Sequence, residues 1–214
     1  LPSGDYITAW GYNTSSAWQL DKERTVPQKT ILSLTALLAL SPGASFSQSG
    51  KPLKEAIDIS AAEVKEVLKH APPAVDQQLK VVDMGAYNLA VGIVHRGPTK
   101  DRDDGTIPGI AHHHQTETYI IQSGSGTLVT GGAILDAKEI PSTSEAYKVL
   151  NGPSATGTVK DGYSRVVKPG DIIIIPPDVF HGWTKITDHV DYLSVRPDPD
   201  RVLPAGYVNP AIKK

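Results

Sequence analysis

Seven short runs rich in β-branched and aromatic residues, at 79–84, 87–95, 117–122, 126–130, 164–167, 171–175 and 191–195, are separated by Gly, Pro, Asn and Asp. Runs this short hide their apolar faces by stacking or closing sheets on one another, so the spacing predicts an all-β fold, a closed barrel or jelly roll. Helix is expected only at the front of this region. There Ser60 followed by Glu63 fits a capping box, and Ala61, Ala62, Val64, Val67 and Leu68 give a short amphipathic helix that stops before Pro72-Pro73. The four isoleucines at 172–175 read as a strand buried on both faces, and Ser123-Gly124-Ser125 reads as a hairpin connection. The polar stretch at 131–163 reads as an insertion of the kind that covers a site mouth, and the proline-rich segment 197–214 as an ordered-coil tail.

A chain of 214 residues fits one domain with accessory segments. Its 21 Lys and Arg balance 23 Asp and Glu, which leaves no basic footprint for nucleic acid. With no Cys, thiolate zinc sites, iron–sulfur clusters, disulfides and cysteine nucleophiles are excluded, so any metal must sit on His and carboxylate. The longest apolar run, 31–40, is half of the roughly 20 residues needed to cross a bilayer, so no integral membrane segment is expected. Lys22, Arg24 and Lys29 precede it, and Ser41, Pro42, Gly43, Ala44 and Ser45 follow, the pattern of a secretory signal peptide. Residues 29–50 are therefore expected to be a leader and 1–28 an upstream extension, with Val26 as an alternative start. On this reading 51–76 holds the helix and a linker, and the working domain, beginning near Gln48, is periplasmic or secreted.

Chemistry concentrates in two blocks. His112, His113 and His114 are consecutive, and in extended chain the first and third share a face. Two imidazoles so placed can grip one divalent ion, and Glu117 adds a carboxylate nearby. In the second block, Gly170 opens the isoleucine strand and Pro176-Pro177 ends it, so that His181 can re-enter the interior.

The two blocks resemble the motifs of the cupin superfamily, G-x5-H-x-H-x3-4-E-x6-G and G-x5-P-x-G-x2-H-x3-N. Glu117 and Gly124 keep the E-x6-G spacing, and Gly170, Pro176 and His181 keep that of the second motif. The resemblance covers about 77–196 and implies a single cupin β-barrel with one divalent metal ion, Fe, Mn, Ni, Cu or Zn. The ligand set it implies is His112, His114, Glu117 and His181, with Glu117 and Tyr119 as proton-moving groups. Three departures stand. Only two residues separate His114 from Glu117, which points to a shortened loop or a register using His113; six rather than five separate Gly105 from His112; and Asp178 and Lys185 replace the Gly and Asn of the second motif. Trp183 is a candidate for the pocket wall, and His95 and Arg196 are weaker candidates for orienting an anionic substrate. The expected function is a metal enzyme acting on a small chelating oxygenated molecule, with dioxygenase-type chemistry favoured. The alternatives are a non-redox isomerase, cyclase, decarboxylase or lyase, and a secreted ligand-binding protein without turnover. Cupin barrels commonly pair through edge strands, so a homodimer is expected.

Overall fold

The computed structural model describes residues 53–70 and 75–212; the leader and upstream extension expected at 1–50 lie outside the described residues. Helix α1, Ala61–Lys69, starts as its sequence predicts. The Ser60 hydroxyl accepts the Glu63 amide at 3.2 Å, and the Glu63 carboxylate accepts the Ser60 amide at 2.7 Å. Its apolar stripe packs Val67, with Val64 and Leu68, against Leu79 and Ile93 on the outside of the first two strands.

Strands β1 (Asp76–Asp83), β2 (Asn88–Arg96), β4 (Glu117–Gly124), β9 (Ile172–Ile175) and β11 (Val190–Asp198) form one antiparallel sheet, in the order β1-β2-β11-β4-β9. The other holds β3 (Ile107–His112), β5 (Gly126–Thr130), β6 (Ile134–Glu139), β7 (Ser154–Val159), β8 (Tyr163–Val167) and β10 (His181–Thr184), in the order β6-β7-β3-β10-β5-β8. Among the described residues the chain forms the expected all-β jelly roll with a short N-terminal helix, and a further π-helical turn stands at Ala146–Asn151. A core of Ile121, Leu128, Val167, Ile173, Trp183 and Ile186 fills one part of the interior, and Tyr119 and Tyr192 divide it from a cavity.

All seven predicted strands are present, and four more were not foreseen. Strand β3 carries Pro108 and Gly109, and β10 is only His-Gly-Trp-Thr; both read locally as breaks. They pair because Gly109 and Gly182 let the two backbones touch: a Cβ at Gly109 would lie 2.2 Å from the His181 carbonyl oxygen. The stretch expected as an insertion contributes β6 and β7, and β7 pairs with β3, so it belongs to the sheet. The expected tail is likewise partly strand, since β11 runs on to Asp198.

Two local readings are corrected. The isoleucine run is an edge strand buried on one face only: Ile173 and Ile175 point inward, while Ile172 and Ile174 are 64% and 68% exposed. An apolar run without alternation cannot reveal which neighbour is missing. Strands β4 and β5 do not form a hairpin, because β4 pairs with β9 and β11, and β5 with β8 and β10. The chain instead crosses between sheets at Gly124, whose φ of 69° and whose approach to the His189 carbonyl oxygen (2.0 Å from a would-be Cβ) require glycine.

The two departures in the second motif keep the backbone that the usual residues favour. Asp178 has φ of 60° and Lys185 φ of 52°, a left-handed conformation that Gly and Asn adopt most readily. Asp178 gains a bond from His113, whereas exposed Lys185 makes no side-chain hydrogen bond among the described residues. We therefore expect Lys185→Asn to raise stability by about 1 kcal/mol, measured as the shift in a thermal or urea midpoint. An unchanged or lower midpoint would count against strain at this position.

Candidate metal centre

Strand alternation decides which side chains meet inside the barrel. From β3 comes His112, from the start of β4 Glu117, and from the start of β10 His181, and all three are buried. Each offers one ligand atom within 4.8 Å of the others. The His112 and His181 Nε2 atoms lie 3.2 Å and 3.1 Å from the same carboxylate oxygen, Glu117 Oε2. Their Nδ1 atoms face outward. His181 Nδ1 donates to the Val179 carbonyl at 3.1 Å. His112 Nδ1 meets the Ser154 hydroxyl at 2.8 Å, whose own proton goes to the carbonyls of Asn151 or Gly152. Both rings are thereby held with hydrogen on Nδ1, so each Nε2 directs a lone pair at the carboxylate when the imidazole is neutral.

Neutral is the state that burial favours for His112, whose pKa lies below the ordinary histidine value. Acceptors facing one carboxylate oxygen at about 3 Å is an arrangement that a cation between them resolves. The buried His181 Nε2 makes no hydrogen bond of good geometry, which fits the same reading. His112, Glu117 and His181 could therefore hold a metal ion.

His114 does not join them. Its ring is 54% exposed and pairs with Asp200, while His113 lies between Asp178 and Glu139, outside the barrel. The reason is that β3 ends at His112, so the alternation that would bring His114 inward is lost. Counted back from Glu117, His112 has four intervening residues, which is the motif spacing, and the inward neighbour two positions earlier is Ile110, on the cavity wall. The group brought together is thus two histidines and one carboxylate.

The other oxygen of Glu117 is fixed from behind. Ser194 and Arg196, alternate residues of β11, both donate to Oε1, the latter at 2.9 Å. Burial pushes the Glu117 carboxyl up, but its surroundings, the Arg196 charge first among them, outweigh this and hold the carboxyl well below the usual range. Arg196 also donates to the Leu150 carbonyl and to Asp76, so each of its three nitrogens is bonded within the protein. Asp76 goes the other way: burial raises it, opposed by Arg196, which it shares with Glu117, and by Arg96.

A cavity of about 360 Å³ adjoins the three residues and is lined also by Asp76, Arg96, Tyr119, Tyr192 and Arg196. Tyr119 packs edge-on against the His181 ring, at 5.9 Å between centroids, and its hydroxyl is held well above the ordinary tyrosine pKa, first by burial and then by the Glu117 charge. Trp183 stacks behind it in the core and does not reach the cavity. His95 faces outward to Asp191. Sequence reasoning passed over Asp76, Arg96, Ser154 and Ser194. For Arg96 and Ser194 a signal existed, since each shares its strand's buried phase, with Ala90, Gly92 and Val94 in β2 and with Val190 and Tyr192 in β11.

Removing Arg196 leaves the buried Glu117 and the partly buried Asp76 without their shared ion-pair partner. Arg196→Met should cost about 3–5 kcal/mol of stability, and Glu117→Gln in the same chain should recover part of it, as a double-mutant cycle in urea would read. Additive losses would show that the pair is not coupled.

Neither a family model nor a curated protein matches the sequence. Among solved structures, a protein from Bacillus halodurans superposes with a TM-score of 0.42 at 14% identity, over 74% of this chain and 92% of that one. A double-stranded β-helix protein from Klebsiella pneumoniae gives 0.39 at 18% identity, over 68% and 93%, and a cupin protein from Bacteroides fragilis 0.31 at 17%, over 51% and 65%. The strand order of the two sheets, with His112, Glu117 and His181 converging inside, makes this chain an all-β jelly-roll barrel.

Proposed function

We propose that the barrel is a mononuclear-metal enzyme acting on a small oxygenated molecule that chelates the ion. The observation that carries this reading is the convergence of the His112 and His181 Nε2 atoms on one Glu117 oxygen at the edge of the cavity. Two imidazoles and one carboxylate, without thiolate, is the donor set of non-haem Fe(II) oxygenases, which favours dioxygenase-type chemistry. A divalent ion held there would polarise a chelating substrate and, if redox-active, prime it for dioxygen. The chain's own residues do the rest. Ser154 and the Val179 carbonyl fix the two rings, Arg196 and Ser194 fix the carboxylate, and Tyr119 closes the cavity toward the core.

One observation favours non-redox proton transfer as a second reading. Asp76 lines the cavity, its Oδ1 has no hydrogen-bond partner, and burial raises its carboxyl toward the range where it can take and return a proton. A lyase or isomerase needs such a group, and a dioxygenase does not.

Elemental analysis of the untagged protein should find stoichiometric divalent metal, lost in His181→Ala and His112→Ala but kept in His114→Ala. Failure to take up any divalent ion, even after reloading, would overturn the proposal. With metal bound, oxygen uptake over a panel of enols and phenols separates the two readings. Consumption of dioxygen with product supports the first, whereas product formed equally without oxygen, and abolished in Asp76→Asn, supports the second.

A further inference from the structure

The cavity contains two arginines that do different work. Arg196 is 1% exposed and has given its donors to Glu117, Leu150 and Asp76. Arg96, on the inward phase of β2, donates Nε to the Tyr192 hydroxyl at 2.9 Å, and no other hydrogen bond or ion pair engages it among the described residues. Arg96 lines the cavity, and its two terminal nitrogens carry no hydrogen bond to the protein among the described residues. The guanidinium is held in place from behind: Tyr192 is buried and packs on Tyr119 with ring centroids 4.1 Å apart. The nearest influence of opposite sign is Asp76, whose bonded oxygen is already committed to Arg196.

A charged guanidinium on the wall of a part-open cavity, braced through Nε and with its fork not bonded to the protein, is pre-oriented to receive an anion. The fork presents two parallel N–H groups, which match the two oxygens of a carboxylate. We propose that Arg96 anchors a carboxylate of the substrate, so that the molecule taken into the barrel is a small organic acid carrying a second oxygen function for the centre at His112, Glu117 and His181. This deepens the function proposed above and rests on the same cavity, but the anchor itself does not need metal. Tyr192 acts as a positioning residue, fixing the plane of the guanidinium.

The test compares acids with their neutral amides. Acetate, malonate, succinate and 3,4-dihydroxybenzoate, and the corresponding amides, are titrated by calorimetry into the full chain, both metal-free and loaded with zinc, which is redox-inert. At least one acid should bind about tenfold or more tightly than its amide, the size expected of hydrogen bonds to a charged group. Arg96→Gln should bring acid and amide to within about twofold, while Arg96→Lys, which keeps the charge but not the fork, should retain only part of the preference. His114→Ala, outside the barrel, should change nothing. Circular dichroism and melting confirm that each variant is folded, and if Arg96→Gln is not, Arg96→Lys alone carries the comparison. No preference for any acid, including no binding at all, or a preference that survives loss of the guanidinium, overturns the proposal. An Arg96-dependent preference in a protein that takes up no metal would uphold the anchor and remove the metal reading; metal uptake without acid preference would do the reverse.

Discussion

The ion pair between Arg196 and Glu117 sits where both sheets converge, and the rest of the interior is arranged around it. Neither charge is tolerable alone at 1–2% exposure, so each needs the other, and each also needs its remaining polar atoms satisfied. Ser194 donates to one carboxylate oxygen while the other faces the two imidazoles; Asp76 and the Leu150 carbonyl accept from the guanidinium. Because Leu150 lies just before β7, and Asp76 opens β1, the same guanidinium ties the five-stranded sheet to the segment that was expected to be a loose insertion. One buried cation thus holds the carboxylate ionised and ties both sheets to its position.

This arrangement also explains how a polar cavity persists inside a barrel. Aromatic rings, Tyr119 stacked on Trp183 and tilted against Tyr192, form the boundary between the apolar core and the charged region, with hydroxyls turned toward the charges. Buried tyrosine suits such a boundary, since its ring packs like phenylalanine while its oxygen finds a polar partner. Tyr192 does so by accepting from Arg96.

How much of this was legible in the residues follows from the physics of strands. Runs such as 87–95 and 117–122 were found because β-branched and aromatic residues in short blocks have few other uses. Strand β10 was not, because Gly182 is stabilised by what it touches, the Pro108 backbone of β3, and not by any local preference. His181 and Glu117 were found from their spacing, and the choice among the three consecutive histidines was not, since that depends on where β3 ends. As weaker candidates for orienting an anionic substrate, the reading named His95 and Arg196. Arg96, one position from His95, has the inward phase, and each of the three nitrogens of Arg196 already donates to the protein.

The sequence by itself determined the strand-rich class, the exclusion of thiolate chemistry and the identity of two of the converging residues, because composition and motif spacing are local properties. Only the tertiary structure decided that Ile172 and Ile174 face outward, that 131–163 is part of a sheet, that His114 pairs with Asp200 outside the barrel, and that Arg196 is spent while Arg96 is not. Each of these depends on which distant strand lies alongside. Partner, phase and depth of burial are set when the sheets close, and no window of sequence contains them.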